Sequence, residues 1–427
     1  MKKIIVFLML LATTGIASAQ DTLTVLQYNL LQYGNDYGGC NSSNNNVTTK
    51  DGYIKTIINY VKPDIFSVNE MVASEAMMEH LLGVINTTWT SRYKRPAFVH
   101  SNAPYLANAI YYNAKKLTFQ KQIVVQDYVR DINLFKFYYN SSQLEQGDTV
   151  FVICIVAHLK AGSGTDNSNK RKVMATNTMN YLKNHNQKAN YLMMGDFNLY
   201  GETEPTWQQL TMNSNTNINF NDPVNQSGDW HNSYAFRNYH TQSTHSGDNG
   251  CASYGGMDDR FDYILISNYI KNGTKHVKYV DGSYWALGQD GKHFNKGLLD
   301  APTNTSVPAN VLNALGKNSD HLPVTLKLSV DQHVGIDEYQ YTLFSDISFV
   351  NPVNDRLNLN ITTQSNTPAT LDIFDMQERL KMQQNLMLTK GKSIQSVNTS
   401  RLSKGLYFIR ITDKNGVSVT RKMLKGK

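Results

Sequence analysis

Beyond its first twenty residues, the sequence lacks a long hydrophobic run. No later stretch approaches the roughly 18 consecutive apolar residues that a membrane-spanning helix needs, so we expect no transmembrane segment in the mature chain. The first stretch, MKKIIVFLMLLATTGIASAQ, has two lysines, an apolar run and the small residues Ala17, Ser18 and Ala19. This pattern is typical of a secretory signal peptide over residues 1–19, cleaved before Gln20. The sequence therefore predicts a secreted or cell-surface protein.

Strong charge of either sign is also missing from most of the chain. The formal net charge is +7, but its excess lies in the signal segment and in residues 331–427. Residues 21–330 are nearly neutral. Overall charge is therefore no evidence for a polyanionic partner, and any basic groove in this region has to be local.

Cysteine is scarce, since the chain has only three. An odd number excludes complete pairing within one chain. Cys154 lies in the apolar run FVICIVAHL, which indicates a buried strand and a small core residue. Elimination leaves Cys40 and Cys251, both in loops rich in glycine and asparagine, as the two that could form a disulfide.

Strand and helix patterns alternate regularly between residues 21 and 330. The strand patterns are short, rich in β-branched and aromatic residues, and end in polar ones. They are LTVLQYNLL, PDIFSVNEM, NAIYYN, TVFVICIVAHL, NYLMMGDFN, FDYILIS and LPVTLKLSV. The helix patterns, with apolar residues three and four apart, are KDGYIKTIINYVK, EAMMEHLLGVI and SNKRKVMATNTMNYLKNH. This interleaving predicts a layered α/β domain over residues 20–331.

The composition changes after this region. Residues 332–349 are polar and without a clear pattern, and we interpret them as a linker. Residues 350–427 contain the short alternating runs DRLNLNI, ATLDIFDM, GLYFIRITD and VSVTRKML. This spacing is typical of a small β-sandwich, so we predict a second, all-β domain.

Polar side chains stand at nearly every strand end of the α/β region. In chain order they are Asn29, Glu70, His158, Asp196, Asn198, Asp262, Asp320 and His321. Each alone has an ordinary explanation as a turn former, a solvated or helix-capping carboxylate, or a core histidine. In LMMGDFN, Asp196 and Asn198 stand two apart, and strand alternation would send both side chains to one side. The whole succession favours a hydrolytic site over unrelated polar turns.

The order of the motifs QYN, NEM, AHL, GDFN, FDYI and SDH resembles the endonuclease/exonuclease/phosphatase family of metal-dependent phosphodiesterases, over about residues 22–330. The resemblance implies a two-sheet α/β sandwich with the active site at one end. It implies a divalent ion, Mg²⁺ in the first place, with Mn²⁺ or Ca²⁺ as alternatives. The metal side would be formed by Glu70, with Asn29 close by and Asp320 as a second carboxylate. Carboxylate and amide oxygens suit such a hard cation.

The same resemblance implies catalytic roles for four residues. Asp196 would orient or deprotonate the attacking water, and Asn198 would donate to a phosphate oxygen as charge develops on it. His321 looks like the catalytic histidine of the family. Asp262 looks like the carboxylate that holds the ring of this histidine and favours its imidazolium form.

Two further residues match the deoxyribonuclease-like branch of the family. His158, in VAHLKAG, resembles a second histidine that protonates the leaving oxygen or binds phosphate. The chain departs from that branch in WTSRYKRPAF, which contains no acidic residue to pair with this histidine. Arg130, in YVRDINLFKF, resembles a phosphate-contacting arginine, because a guanidinium suits bidentate phosphate contact. An ordinary surface arginine is the alternative.

The C-terminal segment carries a resemblance of its own. NPVNDRLNLN, LDIFDMQERL and LSKGLYFIRITDKNGVSVTRKMLK are similar to the sorting domain that the type IX secretion system recognises. Val350 stands where a tyrosine usually precedes the first Asn-Pro. The resemblance implies the type IX secretion machinery as a partner and transport across the outer membrane. A small accessory module for ligand binding is the alternative.

Three functions follow from these patterns. The leading hypothesis is an exported, Mg²⁺-dependent phosphodiester hydrolase that acts on nucleic acid. The second is a sphingomyelinase-like or other phosphoester hydrolase of the same family, with the aromatic insertion YVDGSYWALGQDGKHFNKG against its substrate. The third is a catalytically silent surface binding module. The joint presence of Asp262 and His321 argues against the third, because binding alone does not require a histidine together with its carboxylate.

Overall fold

The structure is a computed structural model that describes residues 21–101, 105–141, 149–185, 188–331, 344–363, 366–377, 379–413 and 418–426. The predicted signal peptide and most of the predicted linker lie outside these residues. The chain divides into two compact units, Met1–Gly335 and Ile336–Lys427, each of which is described by itself. None of the helices in the described part of the chain is long and apolar enough to cross a membrane.

The first unit contains two large β-sheets. The strands of the first sheet, sheet A, are β1 (Asp21–Tyr33), β2 (Ile65–Val72), β3 (Tyr93–Lys94), β4 (Leu106–Asn113), β11 (Val277–Tyr279), β12 (Trp285–Ala286) and β13 (Val324–Val330). Their order is β11-β13-β1-β2-β4-β3, with β12 also paired to β13. The strands of sheet B are β5 (Leu117–Gln126), β6 (Ile132–Tyr139), β7 (Phe151–His158), β8 (Tyr191–Asp196), β9 (Phe220–Asn221) and β10 (Asp262–Ser267). Their order is β5-β6-β7-β8-β10-β9.

Helices cover the outer faces of both sheets. Among the described residues of this unit, the α-helices are α1 (Val47–Val61), α2 (Glu75–Ile85), α3 (Thr165–His185), α4 (Pro205–Thr211), α5 (Asn268–Asn272) and α6 (Ala309–Asn318). One apolar cluster joins α1, α2 and α6 to sheet A. It contains Ile57 of α1, Leu81 of α2 and Leu315 of α6 together with Phe66 of β2. Another joins α3 and α4 to sheet B. A third cluster lies between the sheets. The layers are therefore helix, sheet, sheet and helix, which confirms the predicted two-sheet α/β sandwich.

The face of each sheet that meets the other sheet changes from apolar to polar toward one end. In β1, alternate residues on this face are Leu23 and Val25, then Gln27 and Asn29, and all four are buried. The same change occurs in three more strands: Ile65 is followed by Ser67 and Asn69, Val156 by His158, and Met194 by Asp196. The buried polar groups therefore collect between the two sheets at one end, and this is where the candidate site lies.

The second unit is all-β. Its strands are β14 (Phe344–Ser348), β15 (Arg356–Thr363), β16 (Thr367–Phe374), β17 (Leu380–Leu388), β18 (Gly391–Asn398), β19 (Gly405–Asp413) and β20 (Ser418–Lys425). They form two antiparallel sheets, β14-β15-β18 and β17-β16-β19-β20, around a core that includes Leu357, Leu371 and Ile409. This confirms the predicted small all-β fold.

The first strand of this unit differs from expectation, because β14 lies within residues 332–349, which we interpreted as linker. Ile347 pairs with Ile361 of β15 and is buried in the core of the second unit. The strand is only five residues long, which is too short to give a recognisable pattern in the sequence.

Candidate active site

The register of three strands in sheet B brings the first site residues together. His158 pairs with Asp196 in the parallel β7–β8 ladder, and Asp262 pairs with Asp196 in the antiparallel β8–β10 ladder. Gly195 permits this arrangement, since a Cβ there would lie 1.7 Å from the carbonyl oxygen of Ala157. The glycine of the GDFN motif therefore has a steric reason, which is close approach of β8 to β7 directly beside the site.

Asp196 lies at the centre of the site and is buried. Its Oδ2 accepts a hydrogen bond from Nδ2 of Asn29 at 3.0 Å, and its Oδ1 accepts one from the backbone N–H of Asn198 at 3.0 Å. Burial raises the pKa of Asp196 to about 7, and the charges of Asp262 and Glu70 act in the same direction while His321 opposes them. A carboxyl group with this pKa can take up or release a proton at neutral pH.

Glu70 lies beside Asp196 at the end of β2. Its backbone has a φ of 56°, a left-handed conformation that is uncommon outside glycine and is often found at functional positions. Its Oε2 accepts a hydrogen bond from the backbone N–H of Gln32 at 3.2 Å, and its Oε1 accepts one from Nδ2 of Asn29 at 3.2 Å. The carboxylate is thus oriented from both sides.

Asn29 differs from the sequence-based expectation that its amide oxygen faces a metal ion. Its Oδ1 accepts the backbone N–H of Leu31 at 2.9 Å, so the amide nitrogen points to the carboxylates of Glu70 and Asp196. A backbone N–H can only donate, and this contact fixes the orientation of the amide. In this arrangement Asn29 bridges two carboxylates by donating to them.

The potential metal-ligand atoms form a different group from the predicted one. Ligand atoms of Glu70, His158 and Asp196 all lie within 4.8 Å of one another. Nε2 of His158 is 3.7 Å from Oε1 of Glu70 and 3.6 Å from Oδ2 of Asp196. Burial lowers the pKa of His158 well below its usual value, and the positive charges of Arg130, His321 and Lys160 lower it further. A neutral imidazole is the form that binds metal ions.

His321 and Asp262 form a hydrogen-bonded pair, as the resemblance implied. Nδ1 of His321 is 2.7 Å from Oδ2 of Asp262, which also accepts the hydroxyl of Thr241 at 2.7 Å. Burial by itself would lower the pKa of His321, but the carboxylates of Asp262, Asp196 and Asp320 outweigh it and raise this pKa well above its usual value. Nε2 of His321 lies 3.8 Å from Oδ2 of Asp196. The histidine therefore presents its second nitrogen to the centre of the site.

Asp320 lies on the same side as His321. Its Oδ2 accepts the backbone N–H of Ser253 at 2.9 Å and Nε2 of Gln242 at 3.2 Å. Its Oδ1 is buried and has no hydrogen-bond partner among the described residues. Because buried polar atoms normally have partners, this free carboxylate oxygen suits a cation or a water.

A disulfide supports the loop that carries Ser253. Cys40 and Cys251 are bonded, and Cys154 is a buried free cysteine, as the sequence indicated. The disulfide ties the loop after β1 to the loop that precedes β10. Nδ2 of Asn44 donates to the carbonyl of Asn249 across the same junction. The loop that contacts Asp320 is therefore held by a covalent bond two residues away.

Arg130 and Asn198 converge on the carbonyl of Leu159, next to His158. Nη1 of Arg130 donates to this oxygen at 2.6 Å, and Nδ2 of Asn198 donates to it at 3.3 Å. Asn198 has a φ of 52°, so β-strand geometry has ended before it and strand alternation does not direct its side chain. This corrects the expectation that alternation sends the side chains of Asp196 and Asn198 to one side. Arg130 and His158 line the same small pocket.

Sequence reasoning missed several polar residues that support the site. Asn69 accepts hydrogen bonds from Nε2 of Gln27 at 2.6 Å and from the backbone N–H of Asp196 at 3.0 Å, and it donates to Asn108 at 2.7 Å. These amides occupy positions of their strands that face the other sheet. The alternation of residues in QYN and NAIYYN could have indicated these positions. Gln242 contacts both Asp320 and His321, and no periodic pattern marks it.

Lys50 was missed as well. It is buried on α1, and its Nζ donates to the carbonyl of Leu31 at 3.0 Å and to Oδ1 of Asn45 at 2.7 Å. Burial lowers the pKa of Lys50 to about 7, against the opposing charges of Asp320 and Glu70. It holds the last residues of β1, from which the backbone N–H of Gln32 donates to Glu70.

Several solved structures are similar to this chain, and three of them are as follows. An endonuclease/exonuclease/phosphatase family protein from Bacteroides thetaiotaomicron is 14% identical, covering 73% of this chain and 99% of its own, with a TM-score of 0.40. D. rerio TDP2 complexed with a single-strand DNA product is 13% identical, covering 72% and 98%, with a TM-score of 0.45. A mannosyl-6-phosphatase from Bacteroides thetaiotaomicron is 15% identical, covering 72% and 99%, with a TM-score of 0.41. A search of curated proteins finds no sequence match.

The C-terminal region matches a family model. Residues 349–425 match the model described as the secretion system C-terminal sorting domain. The matched range covers strands β15 to β20 and the Asn351-Pro352 turn before them, the same features that carried the resemblance in the sequence. This part of the chain, residues 349–425, is therefore identified as a secretion system C-terminal sorting domain.

Proposed function

We propose that the first unit is a divalent-metal-dependent phosphoester hydrolase of the endonuclease/exonuclease/phosphatase type, with phosphodiesters, nucleic acid first, as substrates. The observation that supports this proposal most strongly is the convergence of an Asp262–His321 pair with Asp196. Nε2 of His321 lies 3.8 Å from Oδ2 of Asp196, and Nε2 of His158 lies 3.6 Å from the same oxygen and 3.7 Å from Oε1 of Glu70. A histidine held by a carboxylate next to a carboxyl of raised pKa is suited to hydrolysis.

The residues of the site fit a divalent cation. Four carboxylates are gathered here, and they belong to Glu70, Asp196, Asp262 and Asp320. An excess of buried negative charge is costly unless a cation offsets it. Glu70 would hold the ion through its carboxylate, and the atoms of His158 and Asp196 that could also contact it lie within 4.8 Å of that carboxylate and of one another. When bound, an ion such as Mg²⁺ neutralises charge on the phosphate and lowers the pKa of water.

The protein's own groups divide the remaining work. Asp196, which is held by hydrogen bonds from Nδ2 of Asn29 and from the backbone N–H of Asn198, would orient the attacking water and accept its proton. Asp262 orients the ring of His321, so that Nε2 can donate to a phosphate oxygen and stabilise its developing charge. The guanidinium of Arg130, which lines the same pocket as His158, adds positive charge to the site.

The sorting domain supports a proposal for the whole chain. We take residues 1–19 as a signal peptide, residues 20–331 as the catalytic domain, and the region from residue 350 as the sorting domain after a short linker. The protein would cross the inner membrane through the signal and the outer membrane through the type IX machinery. It would then act at the cell surface or in the medium.

Turnover of a substrate panel, with and without chelator, tests the function. The panel contains DNA, RNA, sphingomyelin, bis(p-nitrophenyl) phosphate and p-nitrophenyl phosphate, and each is assayed with Mg²⁺, Mn²⁺, Ca²⁺ or EDTA. We expect hydrolysis of the diesters, nucleic acid above the others, that disappears in EDTA and is lost in His321→Ala. Preference for sphingomyelin would instead support the lipid hydrolase. Absence of turnover on every substrate and metal would support a binding module.

A further inference from the structure

Gln242 contacts the candidate catalytic histidine directly. Its Nε2 lies 2.7 Å from Nε2 of His321 and 3.2 Å from Oδ2 of Asp320. Its side chain is partly exposed, whereas Asp320 and His321 are buried. Gln242 is therefore a partly exposed side chain in direct contact with the second ring nitrogen of His321.

The backbone at Gln242 is fixed by hydrogen bonds. Its N–H donates to the carbonyl of Asp259 at 3.1 Å, and its carbonyl accepts the N–H groups of Asp258 at 2.9 Å and Asp259 at 3.0 Å. It also forms an isolated β-bridge with His321. Since the main chain is held on both sides, only the side chain is free to change its partners.

Two consecutive residues, Thr241 and Gln242, thus contact the groups at both ring nitrogens of His321. The hydroxyl of Thr241 donates to Asp262, the carboxylate on Nδ1, while the next side chain, Gln242, contacts Nε2. The two hydrogens of the Gln242 amide nitrogen point to Asp320 and to His321 in this arrangement. Nε2 of His321 can accept the second of them only in a neutral ring whose proton is on Nδ1, toward Asp262, because both nitrogens of a protonated ring are donors.

This contact has a chemical consequence. A phosphate oxygen that approaches Nε2 of His321 has to displace the amide of Gln242, and the amide is then within reach of that same oxygen. An amide donor carries no charge, so it can bind phosphate without adding to the charges of the site. Donors aimed at a phosphoryl oxygen stabilise the charge that develops there.

We propose that Gln242 is a further catalytic residue, a phosphoryl-binding donor that occupies Nε2 of His321 in the free enzyme and passes to a non-bridging phosphate oxygen in the substrate complex. The inference rests on the proposed function, because it requires a phosphate at His321. It assigns the glutamine to substrate binding and transition-state stabilisation, not to holding the metal.

Substitution of Gln242 tests the inference. Gln242→Met keeps the length of the side chain and removes the donor, and Gln242→Asn keeps the amide one methylene shorter. Gln208→Met, at an exposed glutamine on α4, is the matched control. We measure kcat, KM, the Mg²⁺ concentration for half-maximal rate, the melting temperature, and binding of inorganic phosphate by calorimetry with Mg²⁺ present.

We expect Gln242→Met to lower kcat/KM by about 10- to 100-fold and to weaken phosphate binding about tenfold, as for the loss of one donor to a developing charge. Gln242→Asn should recover part of the loss, while the Mg²⁺ requirement, the melting temperature and the Gln208→Met control stay as in the unaltered protein. If Gln242→Met shows unchanged or faster turnover and unchanged phosphate binding while His321→Ala is inactive, the inference about Gln242 is wrong and the proposed function stands. Full activity of His321→Ala would instead overturn the proposed function.

Discussion

The disulfide between Cys40 and Cys251 offers a prediction with a calculable magnitude. The two cysteines are 211 residues apart, so the bond closes a long loop of the unfolded chain. The loop-entropy relation gives about 5 kcal/mol of stabilisation for such a loop. For a unit of roughly 310 residues, the unfolding entropy is about 0.65 kcal/mol/K, and the loss corresponds to about 8 °C in melting temperature. We expect this decrease in a Cys40→Ser/Cys251→Ser double variant.

The same change should affect activity through Asp320. Ser253, two residues after Cys251, donates its backbone N–H to Oδ2 of Asp320 at 2.9 Å and accepts the hydroxyl of Ser243 at 2.6 Å. Loss of one such hydrogen bond is worth about 1 kcal/mol, which is about fivefold in kcat/KM. The disulfide would therefore link full activity to an oxidising compartment.

The assay compares thermal unfolding and kcat/KM of the oxidised protein, the protein in reductant and the double variant. A Cys154→Ala variant is the control, because its cysteine is free and buried, and it should keep the same sensitivity to reductant. Melting temperatures within about 2 °C in all three forms would refute the stabilising role. Equal kcat/KM in all three would show that the bond does not hold Asp320.

Two further predictions concern the metal and the tail. Glu70→Gln removes the charge of the side chain and keeps its shape. We expect it to raise the Mg²⁺ concentration needed for half-maximal rate with little change in melting temperature. Full activity of the unaltered protein in EDTA would contradict the metal assignment. Deletion of residues 332–427 should leave kcat/KM within a factor of about two but abolish appearance at the cell surface or in the medium. A truncated protein that misfolds or loses activity would mean that the tail is part of the enzyme.

The fold class could be predicted because each layer has its own pattern. Strands such as TVFVICIVAHL are apolar on both faces, since one face meets the other sheet and the other meets helices. β5 was missed because the polar residues Gln120, Lys121 and Gln122 interrupt its apolar pattern and only three of its ten residues are buried. The linker prediction extended over β14, whose five residues give too short a pattern to recognise.

The candidate site was predictable where polar residues end strands, and less so elsewhere. Asp196, Asp262 and His158 are brought together by strand register, which follows from the pairing of β7, β8 and β10. Gln242 lies outside the regular strands and meets His321 through an isolated bridge 79 residues along the chain. Such a contact depends on the path of a loop, and a loop path has no periodic signal in the sequence.

The orientation of side chains was the least predictable feature. The amide of Asn29 faces the carboxylates through its nitrogen, because the backbone N–H of Leu31 engages its oxygen. His158 joins the possible metal ligands because its register with Asp196 places it there, and burial keeps it neutral. Residue type and spacing determined which groups meet, whereas local hydrogen bonds determined which atoms face each other.

Turnover of Asp196→Asn and His321→Ala is the measurement that tests the central claim most directly. Both variants are assayed with saturating Mg²⁺ on the best substrate of the panel, and circular dichroism and thermal unfolding confirm that they are folded. The proposed chemistry predicts that each lowers kcat by about 10² to 10⁴, the usual range for a positioned acid–base group. Near-wild-type turnover in either folded variant would contradict the assignment of this site as the hydrolytic centre.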